Sequence, residues 1–162
     1  MLLSLSLSVH ATPQEALLES VLSLGEKAVT DSGYKPGILR HIVLFRYNET
    51  VVDEVKKKDI IKKFLNLATD CRRNGNPYII SIETGSQNSA EGADQNLEQG
   101  FLVTFKSEGD RNYYVGKPIV NGTGFFDPAH DEFKKFVGPL LHNQGGALVF
   151  DFNVEEKKSE FM

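Results

Sequence analysis

The most constraining feature of this chain is the segment 39–47, in which both alternating faces carry apolar side chains. Val43 and Phe45 fall on one face, whereas Ile42 and Leu44 fall on the other. Successive side chains of a strand point to opposite sides of its sheet. The segment therefore predicts a strand that is covered on both sides.

The main predicted elements follow one another in the order β-α-β-β-α-β. Strands are predicted at 39–47, 78–84, 99–106 and 147–152. One helix opens near Thr50, a short helix covers 108–114, and another helix opens at Pro128. The helix after Thr50 is predicted to bury a stripe formed by Val52, Val55, Ile61, Phe64, Leu65, Ala68 and Cys71. This order predicts an α+β, ferredoxin-like protomer whose antiparallel sheet carries its helices on one face.

The second apolar face of this sheet also needs a cover. The predicted helices occupy only one face, and an exposed apolar sheet face is a hydrophobic patch in contact with water. A second copy of the chain is the simplest cover, because an isologous contact joins the same patch on both copies. We therefore expect a homodimer that pairs through its sheets.

Composition excludes several classes of function. The 162 residues, enough for one domain with an appendage, carry 18 Lys and Arg against 22 Asp and Glu. A net charge of −4 provides no concentrated positive field for nucleic acid or anionic lipid. Cys71 is the only cysteine, and the four histidines show no zinc-type spacing. We expect no metal, no cofactor, no nucleic-acid partner and no membrane partner.

Residues 1–11 have the pattern of an export signal. Val9 and Ala11 end an apolar stretch and are spaced like the small residues before a signal-peptidase cleavage site. The usual positive charge is missing, because no Lys or Arg precedes Lys27, and a strand-like or frayed terminus is the alternative interpretation. We expect export to the periplasm or the extracellular space, or a cytoplasmic location if the segment is not a signal.

A helical appendage precedes the main domain. Thr12, Pro13 and Glu15 form the pattern of a capped helix start, with Glu15 placed to bond back to the cap. The later leucines predict an amphipathic helix over 12–30. The glycines that follow them predict a linker over 31–37. The predicted division is therefore an appendage at 12–37, a domain at 38–153 and a charged tail at 154–162.

Several motifs of the domain recur together in one known family. Residues 40–45 read RHIVLF, residues 103–106 read VTFK, and residues 127–133 read DPAHDEF. Over about 37–153 the chain resembles the stress-responsive A/B barrel family, also called Dabb. The resemblance implies a ferredoxin-like protomer whose sheet pairs with that of a second protomer to form a dimeric α+β barrel.

The resemblance also implies candidate site residues. A plant polyketide cyclase of this family uses a histidine in the Pro-Ala-His motif, which His130 matches, and an upstream tyrosine, for which Tyr113 and Tyr114 are both candidates. A further histidine of that cyclase, on its third strand, falls at Gln99. The segment 115–127 is longer than in many relatives and is expected to reshape the mouth of any cleft.

The residues themselves leave further alternatives open. His41 shares its strand face with Val43 and Phe45, and points either to the barrel interior or to the dimer contact. Phe125 and Phe126 lie in a glycine-rich loop, where they either plug the structure or line an apolar pocket. A histidine among apolar residues serves either as a hydrogen-bonded core residue or as a ligand contact.

Two functions from different classes follow. The first is a non-enzymatic or weakly catalytic module that binds a small apolar or aromatic ligand. The second is a cofactor-independent cyclase-, isomerase- or monooxygenase-like enzyme with His130 as general base, Tyr113 or Tyr114 as hydrogen-bond donor, and His41 positioning the substrate. The structural alternative for His130 is a helix cap or a bond to the backbone. An apolar cavity of a few hundred Å³ beneath the two histidines leaves the enzyme open as an alternative, and a packed interior favours a structural module.

Overall fold

The structure is a computed structural model that describes residues 11–158. The export signal predicted at 1–11 lies outside these residues except for Ala11, so export stays a prediction. Within the described part, no helix is both long and apolar enough to cross a bilayer.

Helices and strands follow one another in the order expected from the sequence. The elements are α1 (Pro13–Leu24), α2 (Glu26–Val29), β1 (Pro36–Phe45), α3 (Glu54–Asp70), β2 (Ser81–Ser86), β3 (Gln99–Ser107), α4 (Glu108–Val115), α5 (Pro128–Val137), a single 3₁₀ turn (Gly138–Leu140) and β4 (Ala147–Asn153). The second strand begins at Ser81, three residues later than predicted at 78, and Tyr78 before it is buried in the core.

The four strands form one antiparallel sheet in the order β2-β3-β1-β4. This order and the helix-covered face confirm the ferredoxin-like α+β fold. The covered face is the one that carries His41, Val43 and Phe45, so His41 points under the helices and away from the opposite face. At the centre of the core, Phe64 of α3 stacks on Phe101 of β3 with a ring-centroid distance of 3.8 Å.

The buried stripe predicted for the segment after Thr50 is correct at Val52, Phe64 and Cys71 and wrong at Val55 and Leu65. Val55 is 76 % exposed and Leu65 is also exposed, although both were expected in the buried stripe. The helix buries Ile60 and Leu67 together with the predicted Phe64, and these three residues lie one above another at helical spacing. Apolar residues occupy two adjacent ridges of α3, and the contact of Phe64 with Phe101 decides which ridge faces the sheet.

The opposite face of the sheet is apolar and has no helix over it within the described residues. Ile42 of β1 stands opposite Phe150 of β4 and Leu102 of β3 in the register of the sheet. Phe150 is 59 % exposed, and Leu148 and Phe152 beside it are exposed as well. This side matches the uncovered face that the sequence predicts.

The appendage is one helix broken in two, whereas the sequence predicts a continuous helix over 12–30. The predicted cap at Thr12 is confirmed, since its hydroxyl accepts from the Glu15 N–H and its own N–H donates to the Glu15 carboxylate. Gly25, with φ of +85°, separates α1 from α2. Val29 of α2 is fully buried, and its carbonyl oxygen accepts a 2.8 Å hydrogen bond from Asn112 of α4.

Candidate functional site

A cavity of about 440 Å³ lies between the sheet and the helices. Strands β1 and β4 form its floor, while α3 and α5 form its sides. Most of its wall is apolar, and the residues that contribute are Val43, Phe45, Phe64, Phe133, Val137, Leu141 and Val149. A cavity of this volume with few polar groups matches the usual properties of a small-molecule site.

His41 enters this cavity from β1 with its ring oriented by a carboxylate. It stands opposite Asp151 of β4, and its Nδ1 lies 2.7 Å from Asp151 Oδ1. The other carboxylate oxygen of Asp151 accepts from the guanidinium of Arg111, a residue of α4 that also lines the cavity. Burial raises the pKa of Asp151, but the bond from His41 and the charge of Arg111 outweigh it and lower the pKa below its ordinary value. Since Asp151 is ionised, His41 Nδ1 carries the proton and Nε2 is the basic nitrogen.

His130 enters the same cavity from the first turn of α5. The Asp127 carboxylate caps this helix by accepting from the backbone N–H groups of Ala129 and His130. His130 Nδ1 donates to the Tyr114 carbonyl oxygen over 2.7 Å, and the imidazole stacks on the Tyr114 ring. Burial and, to a smaller degree, the charge of Lys134 lower the pKa of His130 to about 3. His130 is therefore neutral at physiological pH and presents Nε2 as a weakly basic acceptor.

Lys134 contributes a third polar group to the cavity wall. Its Nζ donates to the carbonyl oxygens of Val115, at 2.7 Å, and Lys117, at 3.0 Å. Burial lowers the pKa of Lys134. These two bonds hold the beginning of the long segment 115–127 against α5, next to the cavity.

The two candidate tyrosines lie beside the cavity rather than in its wall. The Tyr113 hydroxyl donates to the Arg72 carbonyl oxygen, 3.4 Å away, and the Tyr113 ring packs under the Arg73 guanidinium. Tyr114 contacts His130 through its ring, and its hydroxyl is buried without a hydrogen-bond partner in residues 11–158. Neither hydroxyl is placed to meet a ligand in the cavity, because the chain turns both side chains into the core.

The other predicted ligand contacts also lie elsewhere. Gln99 is buried at the far end of β3, where its side chain bonds to the hydroxyl groups of Ser86 and Thr84. Phe126 packs so closely on Gly116 that a Cβ there would lie 2.5 Å from the Phe126 Cβ. The Phe125 ring packs against Gly122 in the same loop, and neither ring is part of the cavity wall.

The structure thus brings His41 and His130 together and adds residues that the sequence did not point to. Asp151 and Arg111 are the two additions with chemical consequences. The one sequence signal for Asp151 is an acidic side chain in an otherwise apolar final strand. Within residues 11–158, no three His, Cys, Asp or Glu side chains are grouped closely enough to hold a metal ion.

A ferredoxin-like domain with a histidine-lined apolar cavity is the class that this fold and site define. The family model of the stress-responsive A/B barrel domain, Dabb, matches residues 39–154. The chain therefore belongs to the Dabb family, as the resemblance of its motifs predicts. No curated protein matches the chain in sequence.

Several solved structures share the fold. One is a protein from Arabidopsis thaliana, with 22 % identity, 75 % of this chain and 99 % of that chain covered, and a TM-score of 0.56. Another is the hydroxynitrile lyase from Passiflora edulis, which is 22 % identical in sequence. The match covers 76 % of this chain and 99 % of that chain, with a TM-score of 0.56. A third is a dimeric ferredoxin-like protein of unknown function from Jannaschia, which is 20 % identical in sequence. The match covers 73 % of this chain and 100 % of that chain, with a TM-score of 0.54. At these identities the likeness shows the fold alone.

The depressed pKa of His130 predicts a pH dependence of stability. The ordinary pKa of 6.5 applies to the unfolded chain, so between about pH 6.5 and pH 3 only the unfolded state binds this proton. Neutral His130 therefore contributes its full stabilisation above about pH 6.5. Below that pH the free energy of unfolding falls by about 1.4 kcal/mol per pH unit. His130→Asn, whose amide can still donate to the Tyr114 carbonyl, is expected to flatten the dependence by this amount. Urea unfolding at pH 4 to 7 measures it, and equal slopes for the variant and the parent would contradict it.

Proposed function

We propose that this chain is a homodimeric Dabb protein that binds a small apolar or aromatic molecule in the cavity between its sheet and its helices. The observation that carries the proposal is the cavity of about 440 Å³, whose wall is apolar except for a few polar groups around His41 and His130. Burying a ligand against such a wall stabilises the complex by about 25 cal/mol per Å² of apolar surface. The polar groups then orient the bound molecule.

The hydrogen bonds of the two histidines specify the polar end of the ligand. Nδ1 of His41 donates to Asp151, and Nδ1 of His130 donates to the Tyr114 carbonyl. With the proton on Nδ1, each ring has Nε2 left as its hydrogen-bond acceptor. A ligand with a hydroxyl group satisfies such an acceptor, whereas a purely hydrocarbon ligand leaves it unpaired at a cost of about 1–3 kcal/mol. A hydroxylated aromatic or aliphatic compound is the class that fits best.

The exposed sheet face supports the homodimer. Ile42, Leu44 and Phe150 lie on this face together with the side chains of two further apolar residues of β4. A second copy brings an identical apolar patch, so an isologous contact covers both. The Jannaschia protein that shares the fold is itself dimeric.

The dimer is tested by Phe150→Asp. A carboxylate at the centre of the apolar face loses water on association without gaining a partner, so we expect monomers at micromolar concentration. Val55→Asp is the matched control, because Val55 is exposed on α3, a helix of the opposite face, and should leave the dimer intact. Sedimentation velocity distinguishes the two. A monomeric parent protein, or a dimeric Phe150→Asp variant, would overturn this part of the proposal.

Ligand binding is tested with the apolar fluorophore N-phenyl-1-naphthylamine. We expect one molecule to bind per chain, with enhanced fluorescence, and Val149→Phe to weaken binding at least about tenfold because the added ring occupies the cavity. Val149 is 57 % exposed and lines the cavity, whereas Val51 is 54 % exposed and lies outside it, so Val51→Phe is the control. The proposal fails if the parent does not bind the fluorophore, or if the two variants bind it equally well.

A cofactor-independent enzyme is the second candidate, favoured by the bond between His41 and Asp151. A carboxylate on Nδ1 orients an imidazole and stabilises its protonated form, which is how a histidine becomes a general base. His41 therefore fits the role of base better than His130, whose low pKa makes it a weak proton acceptor. The hydroxynitrile lyase that shares the fold is an enzyme.

The enzyme candidate is tested by proton exchange next to a carbonyl group. The protein is expected to accelerate exchange of the methyl protons of acetophenone with deuterated water, as followed by NMR. His41→Gln should lower this rate about 100-fold or more, because the base is lost. His142→Gln is the control, because His142 bonds to the Gln144 backbone outside the cavity. No acceleration by the parent, or equal rates for both variants, would exclude the enzyme and leave the binding function in place.

A further inference from the structure

Helix α1 forms one side of the cavity. Pro13, Gln14 and Leu17 are part of its wall, and Leu17 is half-buried there. All three lie before residue 39, where the match to the Dabb family begins. The segment that completes the cavity is thus additional to the family domain.

The same helix also lies beside an ion pair. A smaller hollow of about 240 Å³ lies next to the cavity, and both are lined by Pro13, Leu17, Arg111 and Asp151. Leu17 therefore lies in the wall that the two hollows share, beside the Arg111–Asp151 pair. Both side chains of this pair are partly exposed, so movement of α1 would expose the carboxylate that orients His41 further.

The appendage is attached firmly at one end only. The Glu26 carboxylate of α2 accepts from the backbone N–H groups of Asn121, at 2.7 Å, and Gly122, at 2.8 Å. In contrast, α1 contains no fully buried residue. Gly25 joins the two helices with φ of +85°, a conformation that glycine adopts without strain. The fixed end, the loosely held helix and the glycine between them have the arrangement of a hinged cover.

We propose that α1 is a lid on the cavity and that Leu17 is the residue that retains the ligand. The inference rests on the proposed binding function, and it adds that the ligand leaves only when α1 moves away about Gly25. It also specifies the orientation of the ligand. The polar end faces His41 and His130, and an apolar outer end contacts Leu17 and Pro13.

The lid is tested by the release rate of N-phenyl-1-naphthylamine. Leu17→Ala removes apolar contact with the bound fluorophore and shortens the side chain that α1 contributes to the cavity wall. We expect release in a stopped-flow displacement experiment to become about tenfold faster, the equivalent of about 1.4 kcal/mol. Leu22→Ala is the matched control, because Leu22 lies on the same helix and is 79 % exposed. Its release rate should stay within about twofold of the parent.

The outcomes separate the lid from the binding function. If Leu17→Ala releases the fluorophore at the parental rate while Val149→Phe still blocks binding, the lid is wrong and the binding function stands. If Leu17→Ala and Leu22→Ala accelerate release equally, a general loosening of α1 is responsible and Leu17 has no specific role, which also overturns the inference. If the parent binds no fluorophore, the binding function and the lid both fail.

Discussion

Strand β1 carries apolar side chains on both faces, and each face needs a cover that keeps it from water. On one face, α3, α4 and α5 supply that cover, with Phe64 stacked on Phe101 at its centre. On the other face, Ile42 and Phe150 remain open to solvent in the single chain. An apolar sheet face of this kind is what brings two protomers together in the proposed dimer.

The helices do not cover their face of the sheet completely, and the gap is the cavity. The polar side chains that border it are hydrogen-bonded to other groups of the protein. His41 is bonded to Asp151, which is bonded in turn to Arg111, and His130 is bonded to the Tyr114 carbonyl. Buried ionised groups are tolerated only when they are paired in this way. Each of these polar groups is therefore held as a defined hydrogen-bond donor or acceptor, and the rest of the cavity wall is apolar.

The appendage and the segment 115–127 are joined to each other beside the cavity. Glu26 binds the backbone of this segment, and a Cβ at Gly122 would lie 2.2 Å from the Glu26 carboxylate oxygen. Lys134 holds the other end of the same segment against α5. Two sequence features that look independent along the chain therefore depend on each other in space. Together they place α1 over the histidine site.

The sequence by itself determined the order of strands and helices, the capped start at Thr12 and the shared face of His41 and Val43, because strand and helix periodicities are local. The tertiary structure decided which ridge of α3 is buried, so Val55 was misassigned. It also decided that Asp151, 110 residues from His41, is the partner of that ring. Such a pairing depends on the register between distant strands, which no local pattern encodes.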